Sequence, residues 1–128
     1  MPLWNEYKSI ARERGALALE LYVVVSTCEA QPAEMQETLP RHLAYQKELE
    51  ARGALFLAGP TSDETGEQMQ GNGLMIYRAT SMDDARALAE ADPMHAEGRR
   101  SYTLRKWLVN EGGLELSVKL SGQASALS

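Results

Sequence analysis

The chain has 128 residues, of which 44% are hydrophobic and 24% charged, a composition typical of a single globular domain with its own core. A net charge of −5 argues against binding to nucleic acid or to an anionic membrane surface, because phosphate-rich partners require a basic patch. The single cysteine, Cys28, excludes an internal disulfide and a zinc site built from thiolates. We therefore expect a protein of the reducing cytoplasm.

The first predicted element is a helix over residues 3–14, in which Trp4, Tyr7 and Ala11 recur at helical spacing before Gly15. Its mixture of charged and aromatic residues is unlike a secretory signal, and no stretch of the sequence is apolar over the length of a membrane span. Residues 1–18 form an N-terminal extension that we expect to cover a sheet edge or to reach a partner subunit.

The first strand is predicted over residues 19–26. Leu21 and Val23 point to one side of this strand, whereas Tyr22 and Val24 point to the other. Because both sides are apolar at the centre, the strand requires cover on both faces.

The longest predicted helix runs from Gln31 to Arg52 and ends before Gly53. Pro40 predicts a break or kink near Leu39, with a fresh helical turn starting at Pro40. One face of the helix is formed by Met35, Leu39, His42, Gln46 and Leu49.

The elements predicted after this helix are strands over residues 54–59 and 74–79, a helix capped by Ser81, and strands over residues 102–109 and 114–120. Pro60 closes the second strand, and residues 61–73 form a polar loop or a long hairpin. The inward-facing residues of the helix capped by Ser81 end at Asp92, and Pro93 stops this helix. The last strand is an edge strand or one exchanged with a partner, and residues 121–128 are a frayed tail.

The order strand, helix, strand, strand, helix, strand predicts an α+β fold of the ferredoxin-like type over residues 19–110. Both helices then lie on one face of an antiparallel sheet, and the other face is open in a monomer. Two sheets pressed together would cover it and form a dimeric α+β barrel, with residues 111–128 as an additional segment.

His42 and Asp92 are the candidate catalytic residues, because neighbouring helices on one sheet face bring their inward groups together. An aspartate that accepts from one imidazole nitrogen fixes the tautomer and leaves the other nitrogen free as a general acid or base. The alternative is that each residue is structural: a histidine on an apolar face is often a satisfied core residue, and an aspartate at a helix end is often a cap.

The candidate substrate-binding residues are Gln46, Gly59, Pro60, His95 and Arg105. Arg78, Arg99 and Arg100 also lie near strand ends, but Arg105 stands in a strand beside Trp107 and is preferred for a substrate carboxylate. His95 is either a second pocket histidine or a surface residue in a turn. No spacing supports a metal site, and no glycine-rich loop leads into a helix, so the sequence predicts neither a metal nor another cofactor.

The chain resembles the YciI-like (YCII-related) family. The resemblance covers about residues 19–109 and rests on five segments of the sequence, Leu39–Leu43, Gly53–Leu55, Leu57–Pro60, Ala91–Pro93 and Arg105–Trp107. It departs from the family in its N-terminal helix, in the segment after Asn110, and at Met94–His95, where an aromatic residue often follows Asp-Pro.

The family resemblance implies a homodimeric α+β barrel related in fold to muconolactone isomerases and chloromuconolactone dehalogenases. It also implies that His42 and Asp92 form the active site. The predicted function is binding of a small organic molecule, with acid/base chemistry of the isomerase, lyase or dehalogenase type. The alternative is a non-catalytic module that binds a ligand or a protein and in which the His42–Asp92 pair is structural.

Overall fold

The computed structural model describes residues 1–122 and 124–127, which form two compact units. One unit is Glu20–Trp107, and the other combines Met1–Leu19 with the residues from Leu108 onward. The elements are α1 (Trp4–Glu13), β1 (Leu19–Cys28), α2 (Pro32–Ala51), β2 (Leu55–Ser62), β3 (Met69–Tyr77), α3 (Met82–Ala91), α4 (Pro93–Ala96), β4 (Arg100–Val109), β5 (Leu116–Lys119) and β6 (Ala124–Leu127).

The larger unit contains a four-stranded sheet in the order β2-β3-β1-β4. Strand β3 pairs antiparallel with both of its neighbours, β1 and β2. Helices α2 and α3 cover one face, because Leu49 of α2 and Ala85 of α3 join the same buried cluster as Tyr22, Val24 and Met75 of the sheet. The predicted ferredoxin-like α+β fold is therefore confirmed.

The other face of the sheet carries the alternate residues of each strand. Val25 lies opposite Leu74 on this face, and Leu57 lies opposite Ile76. Val25, Leu57 and Leu74 are 42%, 54% and 37% exposed, which is high for aliphatic side chains of a sheet. The apolar second face predicted from the first strand is thus open to solvent at these three positions, whereas Leu21 and Ile76 on the same face are 1% and 6% exposed.

Two expectations that rested on proline are wrong, namely a break in the helix with a new helical start at Pro40, and a strand end at Pro60. Helix α2 is one continuous element through Pro40, and the proline that starts a helix is Pro32, at its first turn. Pro60 does not close β2, which continues to Ser62. A proline is tolerated there because β2 is an edge strand and its ladder shifts register next to Pro60.

The smaller unit holds helix α1, which ends at Glu13 with Arg14 as its C-cap, before Gly15 with its φ of +86°, and the antiparallel hairpin of β5 and β6. Residues 124–127 form a strand, so the frayed tail expected after Leu120 is wrong for them, while Gln123 and Ser128 lie outside the described residues. Leu116 and Val118 are exposed rather than half-buried. Among the described residues, none of the helices has both the length and the apolar character that a membrane crossing requires.

Candidate active site

His42 and Asp92 form a buried pair that joins α2 to the junction of α3 and α4. Nδ1 of His42 lies 2.8 Å from Oδ1 and 2.9 Å from Oδ2 of Asp92, and the two residues are 5% and 0% exposed. Asp92 is also the N-cap of α4, because its Oδ1 accepts a hydrogen bond from the Met94 amide at 2.9 Å. The carboxylate thus orients the imidazole and anchors the short helix at once.

The hydrogen bonds to Asp92 fix the tautomer of His42. A carboxylate can only accept, so Nδ1 carries a hydrogen, and in the neutral ring Nε2 is then the basic nitrogen. Nε2 makes no hydrogen bond with the described residues. This is the arrangement in which a histidine can remove a proton from a ligand and later return it.

A cavity of about 460 Å³ is lined in part by α2 and α4. The pair and the cavity share two elements, because Leu39 of the cavity wall precedes His42 by three residues and Met94 of the wall follows Asp92 by two. Neither His42 nor Asp92 itself lines it. The cavity is lined by Cys28, Ala30, Pro32, Met35, Gln36, Leu39, Met69, Gln70, Gly71, Met94 and Arg100.

The structure brings His95 close to the pair but gives it partners of its own. Its Nδ1 donates to the Ala89 carbonyl at 2.7 Å, so its Nε2 accepts from the Ser26 hydroxyl at 2.8 Å. The ring also packs against Tyr102, with ring centroids 4.6 Å apart. Burial lowers the pKa of His95, which favours the neutral form.

The other predicted substrate-binding residues do not meet at the cavity. Gln46 lies in a separate surface groove between α2 and β2, and Gly59 and Pro60 are exposed on the edge strand. Arg105 is exposed on β4 and donates to the Thr103 hydroxyl. The residues of β4 that face the helices are those in phase with Tyr102, so Arg105 lies on the opposite face of the sheet.

Arg100 is the arginine that the structure places in the cavity wall. The sequence contained a signal for this choice, because Arg100 is in phase with Tyr102 and Leu104, the half-buried residues that pack against the core. Had the strand been extended by two residues at its start, the alternation would have selected Arg100 over Arg105.

A second polar cluster, which was not predicted from the sequence, connects α2 to the end of α4. The fully buried Thr38 hydroxyl donates to Glu97 at 3.1 Å and accepts from Nε of Arg99 at 3.2 Å. Arg41 forms an ion pair with Glu97 at 2.6 Å. These bonds hold together the two elements that carry His42 and Asp92.

The described residues contain no cluster of three or more histidine, cysteine, aspartate or glutamate side chains able to hold a metal ion. Nδ1 of His42, the Asp92 carboxylate and both ring nitrogens of His95 take part in the hydrogen bonds given above.

Comparison with known proteins places the chain in a family. The sequence profile of the YCII-related domain matches residues 21–108. The chain belongs to the YCII-related family. The expected family is thereby confirmed, and the matched region contains His42, Asp92 and every residue of the cavity wall.

Among relatives of the YCII-related chain, the protein YjpA of Bacillus subtilis (strain 168) is 32% identical over 72 residues, which are 56% of this chain and 78% of YjpA. A similar solved structure is the 5-chloro-2-hydroxyhydroquinone dehydrochlorinase of Burkholderia phenoliruptrix in complex with 2,5-dihydroxybenzoquinone. It is 23% identical, with a TM-score of 0.51, and the match covers 68% of this chain and 92% of the dehydrochlorinase. At that identity the likeness supports the fold.

Proposed function

We propose that this YCII-related protein binds a small organic molecule in the cavity beside α2 and α4 and catalyses a proton transfer on it. In this proposal His42 is the general base and Asp92 is the residue that orients it. The observation that carries the proposal is the buried hydrogen bond from His42 Nδ1 to both oxygens of Asp92, which leaves Nε2 as the basic nitrogen.

Proton abstraction is a first step that isomerisation and elimination share. In an isomerisation, Nε2 takes a proton from a carbon of the ligand and the imidazolium returns it to another atom of the same molecule. In an elimination, the carbon–hydrogen electron pair instead expels a leaving group. The dehydrochlorinase with the same fold is named for a reaction of the second kind, which supports but does not select this chemistry.

The proposal is tested by hydrogen–deuterium exchange at carbon, followed by proton NMR on a panel of unsaturated lactones and dienoic acids in D₂O. The informative variant is His42→Asn, because the asparagine amide keeps a donor near the position of Nδ1 and removes Nε2. We expect this variant to fold and to lose about a hundredfold or more in exchange rate. Lys47→Ala, on the exposed side of the same helix, is the matched control and should exchange like the wild type.

Unchanged exchange in His42→Asn would refute the role of His42 as the base. The structural alternative is supported specifically by the 0% exposure of Asp92 and by its cap on α4. It would be adopted if no compound exchanges and His42→Asn changes only the melting temperature. The pair would then be a hydrogen bond that holds α2 against the α3–α4 junction.

We also propose that the protein acts in the cytoplasm as a homodimer in which a second copy covers the open sheet face. The exposed row of Val25, Leu57 and Leu74 supports such cover, because aliphatic surface of this kind gains stability when it is removed from water. The free thiol of Cys28 fits a reducing compartment. Sedimentation at micromolar concentration should give a dimer, and a monomer alone would refute the proposed assembly.

A further inference from the structure

Arg100 is a half-buried cation without an acidic partner in the described residues. It begins β4 and lines the cavity. Its Nε donates to the Gly71 carbonyl at 2.8 Å, and no carboxylate within the described range forms an ion pair with it. The other arginines near this end of the fold, Arg41 and Arg99, are paired with glutamates.

The environment of Arg100 makes the missing partner significant. Burial lowers the pKa of the guanidinium, and the nearby Asp92 carboxylate opposes that lowering, so the side chain stays charged while it is partly removed from water. A charge in such a place is usually paired, because its desolvation is otherwise uncompensated. The residues that line the cavity include no aspartate or glutamate in the part of the chain that the structure describes.

The bond to Gly71 also sets the geometry of the guanidinium. It holds Nε, whereas the terminal Nη1 and Nη2 groups make no hydrogen bond with the described residues. Two parallel N–H groups of this kind match the two oxygens of a carboxylate, or adjacent oxygens on a ring. Arg100 therefore presents a fixed donor pair.

The remaining residues of the cavity wall suit a ligand whose anionic group is attached to an apolar ring or chain. Met35, Met69 and Met94 line the cavity, and their unbranched, polarizable side chains adapt to flat or irregular rings. Met69 is 69% exposed, so the cavity opens to solvent on its side. Gly71 lies close against another wall residue, since a Cβ added there would lie 3.0 Å from the Cys28 side chain.

We infer that Arg100 is the specificity-determining residue of the cavity and that the ligand is a small organic anion, a carboxylate or enolate on an apolar ring or short chain. The inference deepens the proposed function, on which it rests for the use of the cavity. It assigns the binding step to Arg100 and leaves the proton transfer to His42.

The test compares benzoate with benzamide, which has the same size and shape but no charge. Binding is followed by ¹H–¹⁵N NMR, using the main-chain amides of Gly71 and Met94 and the Nε–H signal of Arg100. We expect wild-type protein to bind benzoate about tenfold more tightly than benzamide, with all three signals shifting. Arg100→Met should remove this preference, and Arg100→Lys, which keeps the charge but lacks the paired donors, should retain part of it.

Arg52→Met is the charge-matched control, since Arg52 is exposed at the end of α2, and it should keep the full preference. The dispersed amide spectrum of each variant shows that it is folded. Equal binding of the two compounds by the wild type, or an undiminished preference in Arg100→Met, would overturn the inference. So would the absence of any benzoate-dependent shift.

The outcomes separate this inference from the proposed function. His42→Asn should keep the benzoate preference even where it abolishes exchange at carbon. If benzoate and benzamide bind equally at the cavity and His42→Asn still loses exchange, the role of Arg100 is wrong and proton transfer by His42 stands. If the preference is present but His42→Asn exchanges normally, the cavity binds anions and the base lies elsewhere.

Discussion

Substitution of Asp92 separates the two roles that its carboxylate combines. In Asp92→Ala, α4 loses its N-cap, at a cost of about 1 kcal/mol, and Nδ1–H of His42 is left buried without an acceptor, at a cost of about 2 kcal/mol. The free energy of unfolding should therefore fall by about 3 kcal/mol, which lowers the melting temperature by about 10 °C in a domain of this size.

Asp92→Asn should behave differently. Its amide oxygen can still accept from the Met94 amide and keep the cap, so the loss of stability should be about 1 kcal/mol. Its NH₂ group replaces the other oxygen beside Nδ1 of His42, however, and donation to Nδ1 moves the ring hydrogen to Nε2. The variant should then fold but lose exchange at carbon.

Urea unfolding measures both stabilities, and long-range ¹H–¹⁵N spectra of the imidazole report the tautomer of His42. The reasoning would be refuted by equal stability losses for the alanine and asparagine variants, which would show that the asparagine amide preserves none of the stability that the carboxylate contributes. An unchanged tautomer in Asp92→Asn would refute the account of how the base is prepared.

Three further outcomes are expected. Thr38→Val should lower the free energy of unfolding by about 1–2 kcal/mol in urea, because the buried hydroxyl both donates and accepts. Gly71→Ala should lower the melting temperature and weaken benzoate binding, since its φ of +79° and the 3.0 Å approach to Cys28 oppose a Cβ. Burial lowers the pKa of His95 in the folded state, so the unfolded state takes up a proton on this residue at a higher pH than the folded state does. The free energy of unfolding should therefore fall as pH drops below about 6.5. Unfolding measured as a function of pH should show a smaller fall for His95→Asn.

Much of the fold followed from periodicity. Alternation placed β1 correctly and predicted that its two faces would both be apolar, and the cap of α3 was recognised in Ser81, whose hydroxyl accepts from the Asp84 amide. Proline was where local rules failed. At Pro40 the local preference for a break is outweighed by the packing of α2 on both sides of the proline, where Thr38 and His42 are buried. At Pro60 it is outweighed because the proline lies on an edge strand, where no main-chain donor is needed.

The candidate site was predicted only in part. The contact between His42 and Asp92 could be foreseen, because the topology sets both residues on inward stripes of neighbouring helices. Arg100 was not selected for the cavity, because the start of β4 was placed two residues late, at Tyr102, which left Arg100 outside the predicted strand. The Ser26–His95 bond joins residues 69 positions apart and has no local signature.

The uninterrupted course of α2 has a consequence for the cavity wall. A helix pairs each carbonyl with the amide four residues later, and Pro40 has no amide hydrogen to offer the carbonyl of Gln36. Gln36 is itself a wall residue of the cavity. The helix that supplies the histidine thus also holds, at the cavity wall, a main-chain oxygen that cannot be paired by the regular hydrogen bond to the amide four residues later.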